Sequence, residues 1–195
     1  LWIINAYPLV MAGLLLGTGT LGDRIGHRRM FLIGLVLFGV ASIVAAYSPT
    51  AEILIGARAF LAVGAAAMMP ATLALIRVTF EDDRERNIAI AIWGSLSVVG
   101  SALGPIVGGF LLEHFWWGSV FLINVPVVVA FLLAAPVLLR EVRATSYGRI
   151  DAPSLLLSFA GILLFTYSIK SAAAVGFTAQ QIVVGVVGIT ALALF

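Results

Sequence analysis

Along this chain apolar residues neither alternate with polar ones nor keep to one side of a helix. They run on for about twenty positions and stop at short polar breaks. A helix that crosses the hydrocarbon core needs about 20 apolar residues, and stretches of that length occupy 2–21, 30–48, 52–76, 88–112, 118–139, 152–172 and 180–195. The pattern predicts an all-α membrane protein with about seven spanning helices. Runs such as Phe31 to Ala46 are apolar all round, as expected of a helix wrapped in lipid and other helices. The short alternating segments of a transmembrane β-barrel are not found in the sequence.

Composition points the same way. The 195 residues are 62% hydrophobic and 10% charged, with mean hydropathy +1.16. A water-soluble domain carries about 25% charged residues, so this chain lacks the polar surface to cover itself in water. It has no cysteine and two histidines, His27 and His114. That excludes disulfides, cysteine zinc sites and cysteine nucleophiles, argues against a histidine metal cluster, and leaves no metal or cofactor expected. The first stretch opens Leu1-Trp2-Ile3 without a basic leader and is too long for a signal-peptide core, while the last is still apolar at Phe195. An internal piece of a longer membrane protein is expected.

Charge placement sets an orientation. Arg24, Arg28 and Arg29 fall in the break 22–29, Arg77, Arg84 and Arg86 in 77–87, and Arg140, Arg143 and Arg149 in 140–151. The alternate breaks hold no Lys or Arg, so the basic ones are expected to face the cytoplasm. This bias accounts for the pI of about 9.4, and nucleic acid is not an expected partner. Arg58 and Lys170 remain outside the basic breaks.

The first basic break reads Gly19-Thr20-Leu21-Gly22-Asp23-Arg24-Ile25-Gly26-His27-Arg28-Arg29. Gly19 and Gly26 permit a close approach and a sharp turn, and Asp23 suits the partial positive charge of a neighbouring helix N-terminus. Such a contact can hold in one conformation and break in another, which makes the segment a candidate latch. An ordinary positive-inside hairpin would explain the arginines but not the Asp and glycine spacing. The run resembles the signature loop of the major facilitator superfamily, Gly-x-x-x-Asp-Arg/Lys-x-Gly-Arg-Arg/Lys, with His27 in place of the usual Arg.

Arg58 lies about seven residues into its span, roughly 10 Å below the surface at 1.5 Å per residue. A guanidinium there is costly and is expected to face the bundle interior or a wet cavity. Leu54-x-x-x-Arg58 is similar to the fourth-helix motif of the superfamily's proton antiporters, which implies a part in proton coupling. Leu61 and Ala62 stand where that motif often has Gln and Gly. The alternatives are outward snorkelling or pairing with Glu52, roughly 9 Å away along the helix.

Gly100-x-x-x-Gly104-Pro105-x-x-Gly108-Gly109 resembles the fifth-helix antiporter motif, which uniporters and symporters of the superfamily generally lack. Glycines four apart make a flat groove for close helix contact, and Pro105 removes a backbone hydrogen bond and bends the helix. Generic small-residue packing would give the glycines alone. Trp117-Gly118-Ser119-Val120-Phe121-Leu122-Ile123-Asn124-Val125-Pro126 resembles the Trp-x-x-x-Phe-x-x-Asn-x-Pro signature of the drug:proton antiporter family with about fourteen helices. Its Trp-Gly-Ser variant is similar to the branch exporting quaternary ammonium and other lipophilic cations. An interfacial aromatic belt explains Trp116 and Trp117 equally well.

The opening Trp2-Ile3-Ile4-Asn5-Ala6-Tyr7 matches the start of the family's second helix, so the resemblance covers essentially all 195 residues and is weakest over the last two stretches. It implies a partial facilitator bundle. Residues 1–139 would be helices two to six, most of the N-terminal six-helix half with its first helix missing; 140–151 a cytoplasmic loop; and 152–195 two additional linking helices, the last truncated. It also implies a multi-pass inner-membrane antiporter that exports lipophilic cations by alternating access, with the proton gradient as energy source. Its partners would be the bilayer, a small-molecule cation, protons and the rest of its own chain.

Exporters of that branch often carry Asp where Asn5 stands. Every acid here lies in a break or near a span end, so the mid-membrane carboxylate that cation export needs is expected outside this segment. Asn5, Tyr7, Met11, Phe60, Met68, Met69, Trp93 and Asn124 are candidates for lining a cation path, since an aromatic face attracts a cation by about 0.5–2 kcal/mol and Met adapts to varied shapes. Most such residues in any bundle simply pack. Lys170, near an outer helix end, reads as a snorkelling anchor. No catalytic cluster of the Ser-His-Asp or HExxH kind is present in the sequence, so an enzyme is not expected. A non-transporting membrane fragment and a facilitator of another substrate remain alternatives.

Overall fold

The computed structural model describes residues 2–139, 152–176 and 178–194. Its elements are α1 (Trp2–Ile25), α2 (His27–Ala46), α3 (Ala51–Thr79), α4 (Asp83–His114), α5 (Ser119–Leu122), α6 (Asn124–Leu138), α7 (Ala152–Val175) and α8 (Ala179–Ala193). There is no strand among the described residues. In a bilayer every backbone polar group must be satisfied within the segment, and long apolar runs meet that demand as helices.

The polar breaks supply the helix ends. The Thr50 hydroxyl accepts from the Ile53 amide at the start of α3. Asp82 Oδ1 accepts from the Arg84 and Glu85 amides at 2.9 and 3.1 Å at the start of α4, where Asp83 and Glu85 also meet the positive end of the helix dipole. Thr178 and Gln181 form a reciprocal capping box at the start of α8.

Lipid tails are as apolar as leucine, so helices in a membrane associate by close packing of small residues. α1, α2 and α3 form such a core. Gly34 of α2 and Gly64 of α3 bring the two backbones together: a Cβ built on either would lie 2.8 Å from the other's carbonyl oxygen. Ala41, Ala45, Ala57 and Leu61 fill one half of the seam with Tyr7 against them, and Met30, Ala67 and Ala71 fill the other. The Thr18 hydroxyl of α1 lies 2.7 Å from the Ala66 carbonyl of α3. α6 joins through Val128, which fits against Gly39 of α2. α7 lies along α1 and carries α8 beside it. Among the described residues α4 touches only α3 and α5, the elements before and after it in the chain, and none of its residues is buried.

Several expected boundaries change. The break expected at 22–29 shrinks to the single residue Gly26. The stretch 118–139 is divided into α5 and α6, although together, as Ser119–Leu138, they are long enough for one span. Four helices among the described residues are long and apolar enough to cross a membrane, or five if the bent α1 counts as one, against the seven expected. The other two expected spans correspond to α7, a helix of 24 residues, and α8, of 15 residues, whose apolar parts among the described residues run over Leu156–Ala172 and Ala179–Ala193. The expected loop 140–151, with Arg140, Arg143 and Arg149, lies outside the described residues.

Candidate functional site

The chain reverses between α1 and α2 at Gly26, whose φ of 102° is open to glycine and strained for a residue with a Cβ. The Gly26 amide donates to the Gly22 carbonyl at 3.0 Å and its own carbonyl accepts from the Met30 amide at 2.9 Å, so the turn completes both helices. Across it, His27 Nε2 lies 3.1 Å from Asp23 Oδ1. The pair carries a full charge on both sides only while the imidazole is protonated. Asp23 lies in the last turn of α1 and contacts the ring of His27, the first residue of α2, while the N-terminus of α2 has no side-chain cap.

The glycine that makes room for this ring is Gly22, where a Cβ would lie 2.9 Å from His27 Nδ1. Gly19, expected to allow the close approach, has only Pro70 Cβ at 3.9 Å, an ordinary contact. The signal for Gly22 was its spacing from a histidine one turn and one residue on. Arg28 Nη2 donates to the Pro136 carbonyl at 2.8 Å. That carbonyl belongs to the last turn of α6, where backbone acceptors are unpaired and a cation meets the negative end of the dipole. Arg28 therefore ties α6 to the turn, with Arg24 half-buried and Arg29 exposed beside it.

Arg58 is half-buried on α3, and its Nε is buried without a hydrogen-bond partner. It forms no ion pair with Glu52, which is exposed in the first turn of α3. Tyr7 of α1 packs on the Ala57–Leu61 cluster, the stretch of α3 that carries Arg58. Every described acid sits in a terminal turn or a link.

Other candidates for the cation path are scattered. Met11 and Trp93 are half-buried on α1 and α4. Phe60 is 60% exposed and lines an open groove of about 390 Å³ with Val40, Val44 and Ile53; two residues from Arg58, it points about 200° round the helix from it. Met68 lies across Gly34 in the α2–α3 seam, with half-buried Met69 next to it. Asn124 Nδ2 donates to Ser42 Oγ at 3.3 Å, and Ser42 is fully buried, so Asn124 ties α6 to α2. Asn5 Oδ1 accepts from Lys170 Nζ at 3.0 Å. Lys170, expected to reach outward, instead turns onto α1, because an ammonium at a lipid-facing helix surface gains a polar partner there.

Gly100, Gly104, Gly108 and Gly109 line α4 around Pro105, and a Cβ at any of these glycines would meet nothing within 4 Å. The close helix contact expected of this stripe is not made by the described residues.

Apolar helices joined by small-residue seams, with the acids among the described residues gathered at helix ends and links and the Arg58 guanidinium half-buried, define an integral membrane protein. The family model for the Major Facilitator Superfamily matches residues 1–195. The chain belongs to that superfamily. It is 50% identical over 195 residues to the multidrug efflux pump LfrA of Mycolicibacterium smegmatis, covering all of this chain and 39% of that protein. It is 50% identical over 177 residues to the methyl viologen resistance protein SmvA of Salmonella typhimurium, covering 88% of this chain and 35% of the relative. Identity to the puromycin resistance protein of Streptomyces alboniger is 38% over 171 residues, covering 88% of this chain and 34% of that one. The chain thus spans less than two-fifths of the length of these relatives.

Proposed function

We propose that the full-length protein carrying this segment is a proton-coupled antiporter that exports lipophilic cationic drugs or biocides across the inner membrane by alternating access. Arg58 is the observation that carries the reading. A half-buried guanidinium with a buried, unsatisfied Nε and no carboxylate beside it among the described residues is costly in a bilayer. It is suited to meet a carboxylate that gains and loses a proton during the cycle, supplied by a helix outside this segment.

Three further features support the reading. The chain is 50% identical to relatives named for multidrug efflux and for resistance to methyl viologen, itself a cation with quaternised nitrogens. The open glycine face of α4 suits close contact with another helix of the full protein. The Gly26 turn, with Asp23 on His27 and Arg28 on α6, lies at the basic end proposed to face the cytoplasm, where Gly19, Asp23, Arg24, Gly26, Arg28 and Arg29 would form the latch.

Ethidium efflux from cells expressing the full-length protein tests it, with and without a protonophore. Export should collapse when the gradient is dissipated, and Arg58→Ala should reduce it to background at unchanged membrane abundance. Export indifferent to the gradient, or normal export by Arg58→Ala, refutes the coupling.

A further inference from the structure

The hairpin of α7 and α8 contains the chain's one lysine and explains none of the features above. It is held against α1 at two separated points. Near the middle of α1, Gly13 opens a notch for Phe159: a Cβ there would lie 2.6 Å from the ring and 3.4 Å from the Phe159 carbonyl oxygen, so the two backbones run in contact. Toward the start of α1, Lys170 Nζ donates to Asn5 Oδ1 at 3.0 Å. The contacts are eight residues apart on α1 and eleven on α7, and run in opposite directions along the two helices, which spaces them about 12–16 Å.

One contact would let α7 pivot; two so far apart fix both its position and its rotation. Ser158 and Ala172, beside the two contacts, are 1% and 5% exposed. A half-buried ammonium in lipid costs several kcal/mol without a partner, which resists release of Lys170 from Asn5. α8 follows, because among the described residues its contacts are with α7 alone. A Cβ on Gly188 would lie 2.6 Å from the Phe165 amide nitrogen. Ser168 Oγ donates to the Gln181 carbonyl at 2.6 Å, and Gln181 Nε2 to Ser171 Oγ at 3.2 Å.

We infer that the α7–α8 hairpin is locked to α1 and travels with the α1–α3 bundle as one rigid body throughout the cycle, with Lys170 as the positioning residue. Motion in a cycle rests on the transporter reading; the lock itself does not. The test uses the full-length protein, freed of any other cysteine, with Gly13→Cys and Phe159→Cys introduced together. The pair should oxidise nearly completely to a disulfide, and ethidium export should stay within about twofold of the reduced form, since a bond between parts that never separate costs nothing. A pair that does not cross-link overturns the lock, and a tenfold loss of export on oxidation that reduction reverses overturns the shared motion.

Lys170→Met should slow cross-linking at least threefold and Lys170→Arg should restore it; equal rates in all three overturn the role of Lys170. Should the cysteine pair impair folding, spin labels at exposed Val40 of α2 and Val183 of α8 give the second measurement. Their distance distribution should be the same at pH 5 and pH 8 and with bound ethidium, and a shift above about 5 Å overturns the inference. A cysteine-free parent without export refutes the transport reading instead, and cross-link yield then decides the lock.

Discussion

Gly64→Ala places one methyl group into the α2–α3 crossing. Its Cβ would lie 2.8 Å from the Gly34 carbonyl oxygen, 2.8 Å from the Phe38 amide nitrogen and 3.0 Å from Phe38 Cα. All three are backbone atoms that no rotamer change can move, so the helices must part by several tenths of an ångström. That separation loosens the Ala41–Ala45–Ala57–Leu61 cluster and the Thr18 contact with Ala66. Overpacking of this kind costs about 1–3 kcal/mol, and the helix propensity gained by replacing Gly with Ala offsets about 1 kcal/mol. The expected balance is a destabilisation between about 0 and 2 kcal/mol, about 1 kcal/mol at its centre, or about fivefold in the folded-to-unfolded ratio. Gly56→Ala, eight residues earlier on the same helix, is the matched control, since its Cβ meets nothing within 4 Å and only the favourable propensity remains. Thermal denaturation of the full-length protein in detergent, followed by size-exclusion recovery, should place Gly64→Ala several degrees below the parent and Gly56→Ala at or above it. Equal melting of the two variants would refute the backbone-contact reasoning.

Gly26→Ala, forced to a φ of 102°, should cost about 1–2 kcal/mol and lower the same melting temperature, with Gly26→Asn milder because Asn tolerates this region. Asn124→Leu strands the fully buried Ser42 hydroxyl and should cost about 1–3 kcal/mol, part of which Ser42→Ala returns in the double variant; additive losses would show the two do not interact. Gly104→Leu, which meets nothing within the described bundle, should leave membrane abundance unchanged and lower efflux; unchanged transport at equal abundance would remove the proposed role of the α4 glycine face.

Run length made the helices legible in the residue order: an unpaired backbone group in lipid is so costly that only a helix or a closed barrel serves, and apolar runs of about twenty residues without alternation select the helix. The glycines of the first turn illustrate the limit. Gly26 was readable because the positive φ is a local property of one residue, whereas the close approach expected at Gly19 is made at Gly22, against the His27 ring. The placement of the candidate path residues was likewise not legible: Asn124 and Met68 lie in helix seams, and Phe60 is on the face of α3 away from Arg58.

Run lengths, helix caps, charge asymmetry and the membrane class are written in the order of residues, since each depends on neighbours within a few positions. Which face meets which was decided only by the folded bundle. In water a helix advertises its buried side by being apolar there, but these helices are apolar on every side, so hydropathy says nothing about orientation. Orientation comes from where two backbones approach, as at Gly34 and Gly64, and from rare long-range polar pairs such as Asn5 with Lys170, 165 positions apart in sequence.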